Sequence, residues 1–232
     1  KEIMANVFRA AIANNASELP SLFYFFIVKL APEYEALETG VGHELVLKSV
    51  AKACGKTPAE IRKLFQKEGD LGVVVAEGKK SQNTIGSFFG GAAKKKPPLL
   101  FIDVFNAFKK IANTSGTGSG QDKENTIVRM LQDGDKDEAK YIVRWLQKNL
   151  KTGAAEKTVI SALARAISYT PPDKMLQKSQ VLNNKKKIGE SVFNELVNRV
   201  EFGIKEAGCE FPNYGKIIEN LLLYGTDIDK LR

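Results

Sequence analysis

Two short polar turns hold the residues of this chain best suited to gripping an anion. The first is Gly116-Thr117-Gly118-Ser119-Gly120 with Lys123 just beyond; the second is Lys151-Thr152-Gly153 with Lys157 just beyond. Each lies between apolar runs at helical spacing. Around the second turn, Ala139, Ile142, Val143, Leu146 and Leu150 precede, and Ala155, Val159, Leu163, Ala166 and Ile167 follow. Such a pattern predicts helix–turn–helix, with one stripe buried and the turn outside. The first N–H groups of each second helix lack intrahelical acceptors, and the positive end of the macrodipole lies there. With a lysine alongside, such a corner suits a phosphate. Chemistry alone leaves a blander alternative open at each: a flexible connection at 116–120, and an ordinary solvated lysine at 151. Two corners on one face would grip two phosphate runs of one duplex.

Other chemistries are disfavoured by what the chain contains. A dinucleotide fingerprint at 116–120 needs a preceding strand, whereas an amphipathic helix precedes it, and no P-loop pattern occurs. His43 is the only histidine, which nearly excludes His-based zinc sites and Ser–His triads. No nucleophile–base set or metal constellation stands out, so no catalytic residue, metal ligand or cofactor is assigned within these residues. Cys54 and Cys209 lack CxxC spacing and read as reduced core residues of an intracellular protein. Lys+Arg outnumber Asp+Glu by 35 to 27, a net charge of +8, which modestly favours a polyanionic partner. Lys94–Lys96 and Lys185–Lys187 read as solvated charge, the latter also as a nuclear-localisation-like element. The most apolar run, Leu22–Val28, falls far short of the roughly 20 residues a membrane helix needs. No membrane association is expected, and a monomer is.

Almost every ordered stretch reads as helix, predicting an all-α protein: a single compact domain of about ten to twelve helices. The expected helices are Ile3–Ala13, Ser17–Ala31, Glu44–Ala53, Thr57 to Gly69, Leu99–Ala112, Asp122–Leu131, Lys136–Asn149, Ala154–Ser168, Gly189–Ala207 and Tyr214–Tyr224. Thr57-Pro58-Ala59-Glu60 has the form of a capping box with proline at the first helical position. Ser17 can cap its helix, Gly208 and Gly225 should close theirs, and the aromatic cluster Phe23–Phe26 belongs to the core. Residues Gly78–Pro98 carry no helical stripe and read as a flexible loop. The chain opens at Lys1 inside a helical pattern, so it is expected to be an excised fragment.

Within that loop, Gln82, Ile85, Phe88 and Phe89 stand at the spacing of a sliding-clamp (PCNA) interacting box. One helical turn would place Ile85, Phe88 and Phe89 in one apolar pocket while Gln82 hydrogen-bonds nearby. The alternative is that both phenylalanines pack on the helical body.

Several segments together resemble the N-terminal DNA-binding domain of ATP-dependent DNA ligases, the replicative DNA ligase I class shared by eukaryotes and archaea. Leu37-Glu38-Thr39-Gly40-Val41-Gly42 with Leu47-Lys48-Ser49-Val50-Ala51 resembles that family's L-x-x-G-V-G…L-x-K-x-[VIL]-A. Glu68-Gly69-Asp70-Leu71-Gly72 with Ala76-Glu77 resembles x-G-D-[LV]-G…A-[EQ], and Val104-Phe105…Phe108…Ile111-Ala112…Gly116 resembles V-F…[FL]-R-x-I-A…G. Glu138-Ala139-Lys140-Tyr141-Ile142-Val143-Arg144 resembles E-A-[KR]-[FY]-[IL]-[IVA]-R. The family's L-R-I-G is here Leu150-Lys151-Thr152-Gly153, so a fork-shaped arginine is replaced by a point-charge lysine. The resemblance implies an all-helical module that holds nicked duplex DNA by its minor-groove backbone. It acts in a nuclear enzyme of replication and repair that uses ATP and magnesium. The family's nucleotidyl lysine sits in Lys-x-Asp-Gly, which is absent from residues 1–232. Catalytic domains are therefore expected after residue 232. The DNA contacts implied are Gly116, Gly118, Ser119, Gly120, Lys123, Lys151, Thr152, Gly153 and Lys157, with the clamp a further partner through Gln82, Ile85, Phe88 and Phe89.

Overall fold

The computed structural model describes residues 1–88, 97–169 and 185–231, with the backbone alone over 80–88 and at 187. Apolar stripes at helical spacing form helices throughout them, and no strand occurs among the described residues, so the all-α expectation holds. The α-helices in chain order are α1 (Glu2–Asn15), α2 (Leu19–Phe26), α3 (His43–Cys54), α4 (Pro58–Glu68), α5 (Leu71–Phe88) and α6 (Phe101–Asn113). They continue with α7 (Ser119–Asp133), α8 (Lys136–Leu146), α9 (Glu156–Tyr169), α10 (Lys185–Ile188), α11 (Glu190–Glu210) and α12 (Tyr214–Tyr224). They fall into two units. Unit 1 combines Lys1–Leu37 with Gly153–Arg232, and unit 2, Glu38–Thr152, is inserted between those halves.

In unit 1, α9 is the central helix and packs against α1, α2 and α11. It is apolar almost all round, as a helix enclosed on several sides must be. Val159, Leu163, Ala166 and Ile167 are fully buried with Phe8, Leu19, Phe23, Ile204 and Ile218. Each large side chain so buried contributes about 1.5–3 kcal/mol before conformational entropy is subtracted. Ser168, also buried, donates to the Ala164 carbonyl at 2.8 Å, so its hydroxyl is satisfied within the helix.

In unit 2, α5 lies along α8, while α3 packs against α4, α5 and α7. Leu71, Val75, Phe105, Ile127, Leu131 and Val143 are buried there, and Phe108 stacks on Trp145 with ring centroids 4.2 Å apart. The Thr57 capping box forms as the sequence predicts, with Glu60 reaching back to the Thr57 amide. A second one, Asp135 with Glu138, starts α8.

Five local expectations are corrected. Helix α2 stops at Phe26 rather than Ala31, because Val28 takes a left-handed conformation at φ +57°. There the Lys29 amide donates to the Tyr24 carbonyl and the Val28 amide to Phe25, a Schellman closure with valine where glycine is usual. Ser17 makes no cap for α2, whose N-cap is Glu18. Gly208 does not end α11, which runs to Glu210; the Tyr214 ring lies 3.3 Å from where its Cβ would stand. Gly78 likewise continues α5 to Phe88, where the sequence suggested a loop. Its missing Cβ makes room for the Cys54 sulfur, 2.6 Å from that position. Cys54 is buried as expected, but Cys209 is exposed.

Candidate nucleic-acid interface

The α6–α7 corner is built by glycines. Helix α6 ends at Thr114, whose hydroxyl donates to the Lys110 carbonyl, and Gly116 and Gly118 then adopt φ +90° and +87°. A side chain at either would meet nothing, so glycine is required by the backbone angle and not by crowding. Gly118 is the N-cap of α7 and supplies no side-chain oxygen. The Ser119 amide turns back to Gly116 at 3.2 Å and the Gln121 amide to Gly118 at 3.0 Å. The amides of Gly118 and Gly120 have no hydrogen-bond acceptor among the described residues, and both glycines are exposed. Unpaired N–H groups at a positive dipole end are donors of the kind an oxyanion accepts from.

Lys123 has a partner on the Leu37–Gly42 segment. Its ammonium donates to the Thr39 carbonyl at 2.7 Å, and lies 3.3 Å from where a Cβ on Gly40 would sit. Gly40 itself is at φ +60°. The Leu37–Gly42 segment is thereby fastened to α7 through Lys123.

The α8–α9 connection is held in an uncommon shape. Lys148 (φ +56°), Lys151 (φ +52°) and Gly153 (φ +66°) all lie in the left-handed region. Lys148 closes α8: its amide donates to Trp145 and the Asn149 amide to Arg144, both at 2.9 Å. Lys151 is fixed twice, its amide to the Asn149 side chain at 3.3 Å and its ammonium to Asp70 at 3.2 Å. Asp70 is buried just before α5. One of its oxygens accepts the Gly72 amide at 2.8 Å, and the other accepts Arg144 Nε and Nη2 at 3.1 and 2.8 Å. Burial opposes ionisation of Asp70, but hydrogen bonds from Arg144, Lys151 and the Gly72 amide prevail and hold its carboxyl below the ordinary aspartate range.

Gly72 follows from the same arrangement. An added Cβ would meet the Lys140 carbonyl oxygen at 2.7 Å, so α5 and α8 approach through backbone here. Asp70 and Arg144 were not among the candidates read from the sequence. The available signal was that both lie in segments carrying the family resemblance, Gly69-Asp70-Leu71-Gly72 and Glu138–Arg144.

Gly153 and Lys157 belong to unit 1, whereas Gly116, Gly118, Ser119, Gly120, Lys123, Lys151 and Thr152 belong to unit 2. A side chain at Gly153 would meet nothing, and Lys157 is exposed in the first turn of α9. That turn already carries a carboxylate. Glu156 accepts from the Tyr214 hydroxyl at 2.8 Å and pairs with Lys29 at 3.2 Å. These residues border a cavity of about 440 Å³ in unit 1, also lined by Tyr24, Lys205 and Cys209. Burial pushes the Tyr24 hydroxyl up to about 12, and burial with the Glu156 hydrogen bond raises Tyr214 as well. Both phenols stay neutral at physiological pH, Tyr214 donating to Glu156 and Tyr24 accepting from the Gly215 amide.

The backbone of α5 carries Gln82, Ile85 and Phe88, whereas Phe89 and Lys94–Lys96 lie outside the described residues. Lys185 pairs with Glu190 at 2.8 Å. No group of three or more His, Cys, Asp or Glu side chains suited to a metal occurs among the described residues. No helix there is long and apolar enough to cross a membrane.

Residues 1–164 match the family model described as DNA ligase N terminus. DNA ligase 1 of Dictyostelium discoideum is 32% identical over 222 residues, which is 95% of this chain and 18% of that protein. DNA ligase 1 of Schizosaccharomyces pombe is 32% identical over 226 residues, 97% of this chain and 26% of the relative. DNA ligase 2 of Thermofilum pendens is 38% identical over 144 residues, 60% of this chain and 23% of the relative. This chain thus spans between 18% and 26% of the length of these three relatives. A family match over most of the chain, joined to a helical framework whose Gly40, Asp70, Gly72 and Arg144 each have a structural reason, places it: the chain belongs to the DNA ligase N-terminus family.

Proposed function

We propose that this chain is the DNA-binding portion of an ATP-dependent DNA ligase of replication and repair. In this reading it holds nicked double-stranded DNA by the minor-groove backbone without reading bases. The observation that carries the reading is the α6–α7 corner, where exposed Gly118 and Gly120 amides lack acceptors, in a chain of this family. Sealing a nick anywhere in a genome requires affinity without base preference, and phosphate contacts supply that. Ser119 and Gly116 shape the corner. Lys151, Thr152, Gly153 and Lys157 contribute from the α8–α9 connection, while Lys123 supports from behind.

Nucleus, ATP and magnesium enter this reading only as properties of the whole enzyme. The residues present do not fit ATP or magnesium. No Lys-x-Asp-Gly occurs in the sequence, and no acidic cluster suited to a cation lies among the described residues. No adenylation step is assigned to this chain. Incubation with radiolabelled ATP and magnesium, followed by a denaturing gel, should leave the 25.5 kDa chain unlabelled.

The DNA-binding reading is tested by titrating a labelled nicked duplex at several salt concentrations. Affinity should fall with a log–log slope of about −0.9 per neutralised phosphate and vary little with sequence. Salt-independent affinity, or none at low salt, refutes it.

A second reading keeps the sliding clamp as a partner. Helical backbone through Phe88 gives Gln82, Ile85 and Phe88 the local conformation that a clamp-binding turn needs. Calorimetry with the clamp, for the unaltered chain and for Phe88→Ala/Phe89→Ala, decides it. Unchanged affinity with a lowered melting temperature assigns those residues to packing.

A further inference from the structure

Asp70 is a buried carboxylate with more positive partners than its own neutralisation requires. Two Arg144 N–H groups already converge on Oδ2, at 3.1 and 2.8 Å, and neutralise its charge. Lys151 nevertheless brings its ammonium to the same oxygen at 3.2 Å. Its backbone lies in the left-handed region at φ +52°, which disfavours any residue with a side chain. The Lys151 side chain remains 43% exposed, whereas Asp70 is 6% and Arg144 12% exposed. An ammonium has three N–H groups, and one contact with Asp70 leaves two for another acceptor.

We propose that Asp70, clamped by Arg144, is the positioning residue of the Lys151 turn: it holds the lysine in place so that its remaining N–H groups meet a DNA phosphate. This assignment rests on the DNA-binding reading above. A free lysine must surrender rotamer freedom when it contacts a phosphate; one anchored at its tip has already done so. A lysine lacks the rigid fork that aims a guanidinium, and an anchoring carboxylate supplies direction instead. Arg144 lets Asp70 serve as anchor without presenting an uncompensated negative charge to the duplex. The anchor sits at the backbone contact between α5 and α8, so it is fixed to the core of unit 2 and not to a loop.

The test is a double-mutant cycle on the full 232-residue chain, read as affinity for a nicked duplex and as salt slope. Asp70→Asn alone strands the Arg144 charge, so the informative variant is Asp70→Asn/Arg144→Met, which removes both charges together. Lys151→Ala should weaken binding by about five-fold and reduce the salt slope by about 0.9, the effect of one lost phosphate contact. The Asp70→Asn/Arg144→Met variant should weaken binding by a comparable factor when Lys151 is present, and change it little in the Lys151→Ala background. Arg144→Lys, which keeps the charge but loses the converging pair of bonds, should show a smaller loss that also vanishes without Lys151. Circular dichroism confirms that each variant is folded before its affinity is read. An effect of Asp70→Asn/Arg144→Met that persists without Lys151 overturns the assignment, because it makes the cluster merely structural. Tighter binding by that variant also overturns it, since Asp70 would then be competing with the phosphate. Both outcomes leave the DNA-binding reading intact, whereas no duplex binding by the unaltered chain overturns both.

Discussion

Asp70 sets an acid limit on the stability of unit 2. Its carboxyl is held below the ordinary value of 3.8, so the stabilisation it provides is complete above that value. The contribution is lost as pH falls through the still lower value of the folded state. Asp70→Asn is expected to cost about 3 kcal/mol at pH 7, because it leaves the largely covered Arg144 without its counter-charge. Urea unfolding at pH 7 and pH 3 checks this: the gap between wild type and variant should narrow at the lower pH. Lys148 gives the opposite sign. It occupies the left-handed closing position of α8, and its ion pair with Glu38, at 2.9 Å, joins two exposed side chains. Lys148→Gly should raise stability by about 0.5–1 kcal/mol, since relief of the backbone outweighs an exposed pair. A lower melting temperature for that variant would count against Lys148 as the strained closing residue of α8.

At the scale of elements, the contact of α5 with α8 is the most sensitive. Gly72→Ala drives a methyl group into the Lys140 carbonyl, and backbone cannot rotate away as a side chain can. A loss of about 1–3 kcal/mol is expected, against a smaller one for alanine at exposed Gly42, the N-cap of α3, where nothing lies within reach but glycine is preferred to alanine. Thermal melts of both variants make the comparison. The helices themselves were largely legible from sequence. Period, capping boxes and Gly225 placed α4 and α12 closely, because those signals are local and no packing demand overrides them. Glycine misled where its purpose is close approach: Gly78 beside Cys54 and Gly208 beside Tyr214 both lie inside helices. Nothing in a sequence window distinguishes such a glycine from a terminator. The same holds for the candidate site. Gly116 and Gly118 were readable as turn formers, yet the inward engagement of Lys123 and Lys151 depends on Thr39 and Asp70, 84 residues away in the first case. Long-range partners leave no periodic trace.

At the scale of the whole molecule, the chain crosses between its two units at Leu37–Glu38 and again at Thr152–Gly153. Unit 2 is continuous and has its own buried residues. A polypeptide of residues 38–152 should therefore unfold cooperatively by itself, and a denaturant titration followed by circular dichroism tests it. A gradual, non-cooperative change would show that unit 2 depends on the rest of the chain.

Insertion of one unit inside another also governs the order in which the protein is born. A ribosome finishes all of unit 2 before the first residue of α9 exists. Through that interval α1 and α2 hold Phe8, Leu19 and Phe23 with no central helix to cover them. At roughly 5–20 residues per second, the wait lasts many seconds, long enough for a chaperone to engage the apolar pair. Nascent chains stalled with Thr152 just outside the exit tunnel should resist protease across Glu38–Thr152 while the segment before Leu37 is still cleaved. Protection of that leading segment should appear only once α9 and α11 have emerged. Within unit 1, the residues made earlier thus wait for those made later before they are covered.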